Sequence, residues 1–511
     1  MKSWRKALSL SIVAVLALGV ATSPAAMSAD EQPAYDGSNL SADNNIRVFS
    51  MIDDGGSMHT NIWDQNLYWC TSTKDPKCDF YGADAAARGY VAESVLAPCE
   101  SATSEDCIAR VEIKRNDGSY ADLSFEGFIP DAVYEKHIPA DPALNFPAGG
   151  APSVWVEKID GVVQPKKYLV GFDYNTNFDP VRRRFEIVDI RFNIRPFKEI
   201  PGEQWNSLWF GNGKSGLLYN FDPGVSMRAT VHMTTAATGW FKARLKSPDI
   251  SINKLSSTNN VVTISGEPVE VPTFVYTKPR ADLDEQEKYW EKFWGFNKGI
   301  ATAGAGNPRV FEFLNYMRPK VNDIAAQSTT QWSFNSTPWE SRNPCLYDST
   351  QLMGIVTTNA MAYKGGTPEF VDGYLNYTVS GMHYKADGKT PVIGTYDLLL
   401  RSSAARCLYG FTNAPISATV SITGGDGDQN VATTVLNEKD GWIRLSAYGF
   451  TFSEKTIKMK LTQEAPKKEE VAPAPSPTAS PKKTTVSCIK GKMTKKVTAV
   501  SPTCPKGYVK K

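Results

Sequence analysis

Ser57 and His59 stand two residues apart in a glycine-rich stretch that begins Asp53-Asp54-Gly55-Gly56, a nucleophile type beside a base type. A hydroxyl nucleophile needs an imidazole within hydrogen-bond reach and a third group to orient that imidazole. No G-x-S-x-G turn frames the serine, so the pair reads as a polar turn and no catalytic residue is assigned. His137, His232 and His383 are the remaining histidines, and a hydrolase triad would have to use one of the four. His232 and His383 fall in strand-like runs, where a packed or surface imidazole is the expectation. Asp53, Asp54, Glu126 and Asp173 neighbour turns or aromatics and are the carboxylates considered for glycoside hydrolysis. That chemistry needs two carboxyl groups about 5 to 10 Å apart, a distance only the fold can set.

Two other motifs invite a ligand. Gly213-Lys214-Ser215 copies the end of a phosphate-binding loop, but Leu208 stands where that loop needs its first glycine. The segment is read as a turn. Asp426 and Asp428 in Gly424-Gly425-Asp426-Gly427-Asp428 offer carboxylate oxygens to calcium. No glutamate closes the loop as in an EF-hand, so a hairpin turn is expected, with weak calcium binding as the alternative. No cofactor motif is present and no metal site is assigned.

Aromatic and cationic residues carry more. Trp63, Trp69, Trp205 and Trp209 cluster in polar, loop-like segments. Exposed there, they would stack on a ligand or grip a partner; packed, they would anchor loops. Eight cysteines, Cys70, Cys78, Cys99, Cys107, Cys345, Cys407, Cys488 and Cys504, fit export to an oxidising space. Eight allow 105 connectivities, and their grouping favours 70–78, 99–107, 345–407 and 488–504. Zinc is the rival reading, weakened by the absence of any CxxC and by histidines remote in sequence from most of the cysteines. The net charge of +2 conceals an asymmetry: residues 482–511 hold nine lysines and no acid, leaving a body of −10 once a cationic leader is removed. An acidic body argues against nucleic-acid binding. Lys490, Lys492, Lys495, Lys496 and Lys506 lie within or beside the Cys488–Cys504 segment. They are the candidate contacts for an anionic cell-wall polymer.

The elements that would position these groups are mostly strands. Lys2, Arg5 and Lys6 precede the apolar run Ala7–Val20, so residues 1–29 read as a signal peptide, with no membrane span after its cleavage. Residues 30–278 are expected to form a β-rich domain with short helices at Asp84–Leu96 and near Ser101–Ala109. Glu186, Asp189 and Arg191 are expected to face solvent there. Residues 279–330 read as a helical connector, because Leu283, Tyr289, Trp290, Phe293 and Trp294 recur at spacings of three and four. Residues 331–463 read as a sandwich of about seven strands. Its clearest piece is Arg406–Ser453, where Ile416, Ala418, Val420 and Ile422 alternate with hydroxyl residues and Asp440-Gly441 marks a hairpin. Residues 464–484 are a Pro/Ala-rich, disordered linker and 485–511 a Cys/Lys-rich tail. The fold class expected is mainly β: two β-sandwich-like domains joined by a helical segment.

Cys488, Gly491, Lys495, Lys496, Cys504, Pro505, Gly507 and Tyr508 give the tail a pattern that resembles a short C-terminal element on exported proteins of actinobacteria. The body, notably CLYGF, APISATVS and EKDGW, is similar to uncharacterised secreted proteins of the same bacteria. The resemblance implies export and surface association, and no reaction. The expectation is therefore a secreted, cell-envelope-associated protein with a structural or binding role, its partner an anionic cell-wall polymer or another surface protein. The alternative is an extracellular hydrolase of carbohydrate or envelope polymers.

Overall fold

The computed structural model describes residues 46–52, 60–66, 68–82, 84–115, 117–129, 137–201, 207–211, 214–297, 300–304, 306–307, 309–337, 343–412, 416–424, 433–463 and 481–511. The expected signal peptide and most of the expected linker lie outside them, as do Asp53, Asp54, Ser57, His59, Trp205, Gly213, Asp426 and Asp428. By its contacts the chain separates into two units, 1–462 and 463–511.

The first unit is mainly β. Its largest sheet runs in the order Ser124–Phe128, Ser153–Ile159, Val162–Asp179, Arg184–Pro201, Gln327–Thr337, Gly239–Lys254, Leu352–Thr358, Ile393–Arg401, Trp442–Thr451 and Thr433–Lys439. Every neighbouring pair is antiparallel except Gly239–Lys254 with Leu352–Thr358. Period two explains it. Val170, Phe172 and Tyr174 alternate with Asp173 and Asn175, and Ile190, Phe192 and Ile194 alternate with Arg191 and Asn193. Each strand therefore has one apolar face.

That face packs on a second layer made of Cys107–Lys114, Met227–Thr234, Asn259–Thr273 and the distal half of Gly239–Lys254. Val111, Met227, Val231, Leu245 and Ile264 meet Phe172, Phe192, Trp332 and Phe334 in the core between them. Gly239–Lys254 joins both layers. Its register slips between Lys246 and Asp249, with Ser247 at φ 51°, and a bulge of this kind lets a strand turn a corner. On the opposite face of the large sheet, Val356, Leu398, Leu400, Ile443 and Leu445 pack against a third layer holding Leu375, Tyr377, Ile457 and Met459. Leu352–Thr358 is buried along its whole length because both of its faces are covered.

Two sandwich cores are thus present, but they share one sheet. Strands expected in separate domains are hydrogen-bonded neighbours, and the contacts do not divide the chain at 279–330. The reason lies in Gln327–Thr337. It fills the gap between Arg184–Pro201 and Gly239–Lys254, whose edges would otherwise be left without partners. The helices Glu285–Trp294 and Val310–Met317 pack beside the four-stranded sheet of Val275–Pro279, Ile46–Ile52, Ile300–Gly304 and Gly295–Asn297, around Phe49, Trp290, Phe313 and Leu314.

Several local expectations change. Only Ala85–Arg88 of Asp84–Leu96 is helical; Gly89 at φ 56° stops it, and Val91–Val95 is a strand. The segment near Ser101–Ala109 contains no helix, and Cys107 opens a strand. Cys407 lies in the helix Ser402–Tyr409, capped by Gly410 at φ 64°, so it does not open a run of strands. Lys214 and Ser215 begin the strand Lys214–Leu218. Asp160-Gly161 and Asp440-Gly441 are two-residue hairpin turns, with φ of 50°, 80°, 53° and 77° in chain order. All four disulfides join the nearest cysteines: Cys70–Cys78, Cys99–Cys107, Cys345–Cys407 and Cys488–Cys504. The second unit is a three-stranded sheet, Met493–Ala499, Thr484–Lys490 and Val509–Lys510, clipped by the last of these bridges.

Candidate functional site: a polar sheet face with an aromatic edge

The long hairpin Val162–Asp179/Arg184–Pro201 fixes the site. Where its inner face is apolar, its other face carries acids, amides and arginine. Asn175 pairs directly with Asp189 and, across the other edge, with Glu93, which pairs with Asn61. The next row runs from Asp173 through Arg191 and Asn335 to Lys242. Directly paired residues share a face with Cβ atoms about 5 Å apart. Asn61, Glu93, Asn175, Asp189, Asp173, Arg191, Asn335 and Lys242 therefore form one polar field across six strands.

Arg191 is its hub. Nε donates to Asp173 Oδ2 at 2.7 Å and Nη2 to Glu93 Oε1 at 2.7 Å, while Asp189 Oδ2 lies 4.0 Å from Nε. Asp173 is fully buried. Burial works against the Arg191 cation, but the Asp173 and Glu93 carboxylates more than offset it and hold its proton more tightly than usual. Asp189 keeps 27% of its side-chain surface exposed yet is packed deeply enough to lose most of its hydration. That desolvation, reinforced by the Asp173 charge and only partly opposed by Arg191 and Lys242, pushes its pKa up to about 7. A register shift between Ile187 and Asp189 sets the carboxyl in this position. Asn175 Oδ1 is buried without a hydrogen-bond partner, an acceptor in want of a donor.

At the edge of this field Trp63 pairs with Trp69, their rings 5.5 Å apart and tilted by 33°. Trp63 is partly buried and Trp69 is 46% exposed. Trp63 follows Asn61 by two residues on the same strand, so it lies on the same face, about 7 Å further along. The exposed Trp69 indole offers a flat apolar surface, and beside it Glu93 and Asp189 keep 21% and 27% of their side-chain surface exposed, whereas Asn61 and Asp173 are buried.

The structure thus brings together Trp63, Trp69 and Asp173 of the residues singled out in the sequence. It does not bring Glu126 to them. Glu126 is paired with Lys167, six residues along the strand from Asp173, a span of about 20 Å. Trp209 lies in Ser207–Gly211, on a strand that pairs, among the described residues, with Lys214–Leu218. Asp189 and Arg191, expected to face solvent, are largely covered and paired, because the face they occupy is charged but not open. Among the described residues no imidazole hydrogen-bonds a serine or threonine hydroxyl or a carboxylate side chain. His232 Nδ1 donates to Ser104 O, and His383 Nδ1 donates to Phe452 O. His232, remote in sequence from the cysteines, lies 3.7 and 3.8 Å from Cys99 and Cys107 Sγ. Both sulfurs are committed to a disulfide, so this is not a set of thiolate ligands.

Sequence reasoning missed Asn61, Glu93, Asn175, Asp189 and Arg191 as site residues. A signal was there. Asp173-x-Asn175-x-Asn177 and Asp189-x-Arg191-x-Asn193 place polar groups at period two on what turn out to be paired strands.

In the tail unit, Lys490, Lys492, Lys495, Lys496 and Lys506 are all exposed. Lys495 and Lys510 flank Cys488 across the sheet and share a face with Lys490, whereas Lys496 pairs with Ser487 on the other face. The cations surround the clipped sheet and are not gathered on one side.

No protein-family model, no curated protein and no solved structure matches the chain.

Proposed function

We propose that this is an exported, envelope-associated binding protein whose first unit holds a carbohydrate polymer at the tryptophan edge of its polar face. The observation that carries the reading is the continuity of Trp69–Trp63 with the row Asn61–Glu93–Asn175–Asp189. A sugar ring has an apolar C–H face that packs on indole and an equatorial rim of hydroxyls that needs both donors and acceptors. Trp69 supplies the stacking surface, and the partly exposed Glu93 and Asp189 carboxyls supply polar partners. Four disulfides support export, and among the described residues no helix is long and apolar enough to cross a membrane. The tail supports surface association by charge, its exposed lysines suiting an anionic wall polymer. Co-sedimentation of the full chain with insoluble chitin, cellulose and purified cell walls tests the reading. Trp69→Ala is expected to weaken binding to at least one of them tenfold or more. Equal binding by the variant would remove the proposal.

One observation favours a second reading, an extracellular glycoside hydrolase. Asp189 titrates at about 7 beside Asp173, and an acid of that pKa is suited to protonate a leaving oxygen. Release of reducing ends from those polymers, abolished in Asp189→Asn, would establish it. No release with binding intact would leave the binding role alone.

A further inference from the structure

Away from the polar face, the first sandwich contains a partly enclosed cavity of about 160 Å³. Met233, Phe241, Ile252 and Val262 form its apolar wall, and Arg401 and Asn260 give it polar groups. Thr350 and Gln351 also line it, but their side chains are turned to Asp348. Arg401 ends the strand Ile393–Arg401. Its Nε donates to Leu352 O at 3.0 Å, and its guanidinium lies 4.2 Å over the Trp442 ring. Among the described residues no carboxylate pairs with it, and Nη1 and Nη2 have no acceptor. A half-buried guanidinium without a counter-charge is costly, and the loss of hydration pushes its pKa below the usual arginine range. A ring stacked on one face and one hydrogen bond leave the outer edge of its fork uncommitted, the edge that matches a carboxylate in two parallel bonds.

We propose that this cavity binds a small monocarboxylate whose apolar body is about the size of one six-membered ring, with the carboxylate on Arg401 and the body against Met233, Phe241, Ile252 and Val262. The size follows from the volume, since a cavity of about 150 Å³ accommodates benzene. The charge follows from Arg401, and Asn260 adds an amide to the cavity lining. This site is independent of the polymer-binding reading.

Benzoate and its neutral isostere benzamide probe it by titration calorimetry on the full chain. Benzoate is expected to bind saturably and at least tenfold more tightly than benzamide. Arg401→Gln is expected to bring benzoate down to the benzamide level. Ala237→Leu, which adds bulk to the same wall, is expected to weaken both and does not depend on Arg401→Gln folding. Absence of saturable benzoate binding, equal affinity for the two probes, or benzoate binding indifferent to Ala237→Leu would each overturn the proposal.

Discussion

Asp189→Asn should change how the stability of the first unit depends on pH. The Asp189 carboxyl titrates at about 7 in the folded chain, against 3.8 for an ordinary aspartate. A raised carboxyl pKa means that the folded state binds its proton more tightly than the unfolded state does. Between those two values folding takes up a proton, so stability falls as pH rises. The full span corresponds to about 4 kcal/mol at about 1.4 kcal/mol per pH unit, of which about 2.5 kcal/mol falls between pH 5 and pH 8. Asparagine cannot titrate and removes that slope. Urea unfolding of native protein and variant at pH 5 and pH 8 reads the difference directly. From pH 5 to pH 8 the variant should gain roughly 2.5 kcal/mol on the native protein. The offset at a single pH mixes in other effects of the substitution, so the change between the two pH values is the quantity that counts. A stability difference that does not move with pH would show that Asp189 is ionised throughout and that the burial argument is wrong.

Other perturbations have defined outcomes. Breaking Cys345–Cys407, which closes a separation of 62 residues, by the double change Cys345→Ala/Cys407→Ala should cost about 4 kcal/mol in urea unfolding. Peptide mapping without reductant should recover the linked pair. Gly354→Ala should cost about 1–3 kcal/mol, because a Cβ there would meet the Trp240 ring at 2.2 Å inside the second core; a neutral result would refute the close packing. Deletion of 482–511 should abolish the salt-sensitive part of cell-wall binding, which should weaken between 0.1 and 1 M salt as the screening length falls from about 10 to about 3 Å. Binding unchanged by the deletion or by salt would rule out the charge tether.

The fold was legible where side chains alternate and turns have fixed chemistry. Ile416–Gly424 and the Asp160-Gly161 and Asp440-Gly441 hairpins fall where period and φ requirements put them. The cysteine pairs were legible because short separations dominate. The helix expected at Asp84–Leu96 failed because alanines favour a helix only until a neighbour offers a better partner. Val91–Val95 is claimed by Asn61–Trp63 and Val162–Asp179. The domain division failed for a related reason. A helical stretch between strand-rich regions looks like a joint, but Gln327–Thr337 returns across it to close the sheet. The site was only half legible. Exposed tryptophans in polar company were visible, whereas Asp189 and Arg191 looked like solvent-facing charges. Pairing, which sets Asp173 and Glu93 on one guanidinium, is a long-range property that alternation within a strand does not report.

Trp69 is the residue on which the binding claim rests, and its protection can be measured in place. The full chain is exposed to a brief oxidising pulse, free or bound to whichever insoluble polymer it co-sediments with, and the tryptophan peptides are quantified by mass. Free protein should oxidise readily at Trp69, which is 46% exposed. Bound protein should show oxidation at Trp69 reduced several-fold, with Trp63 protected alongside it and Trp155, which is buried in the core, unchanged. Bound protein that oxidises at Trp69 as fast as free protein would contradict the account, and the polymer would have to be sought on another surface.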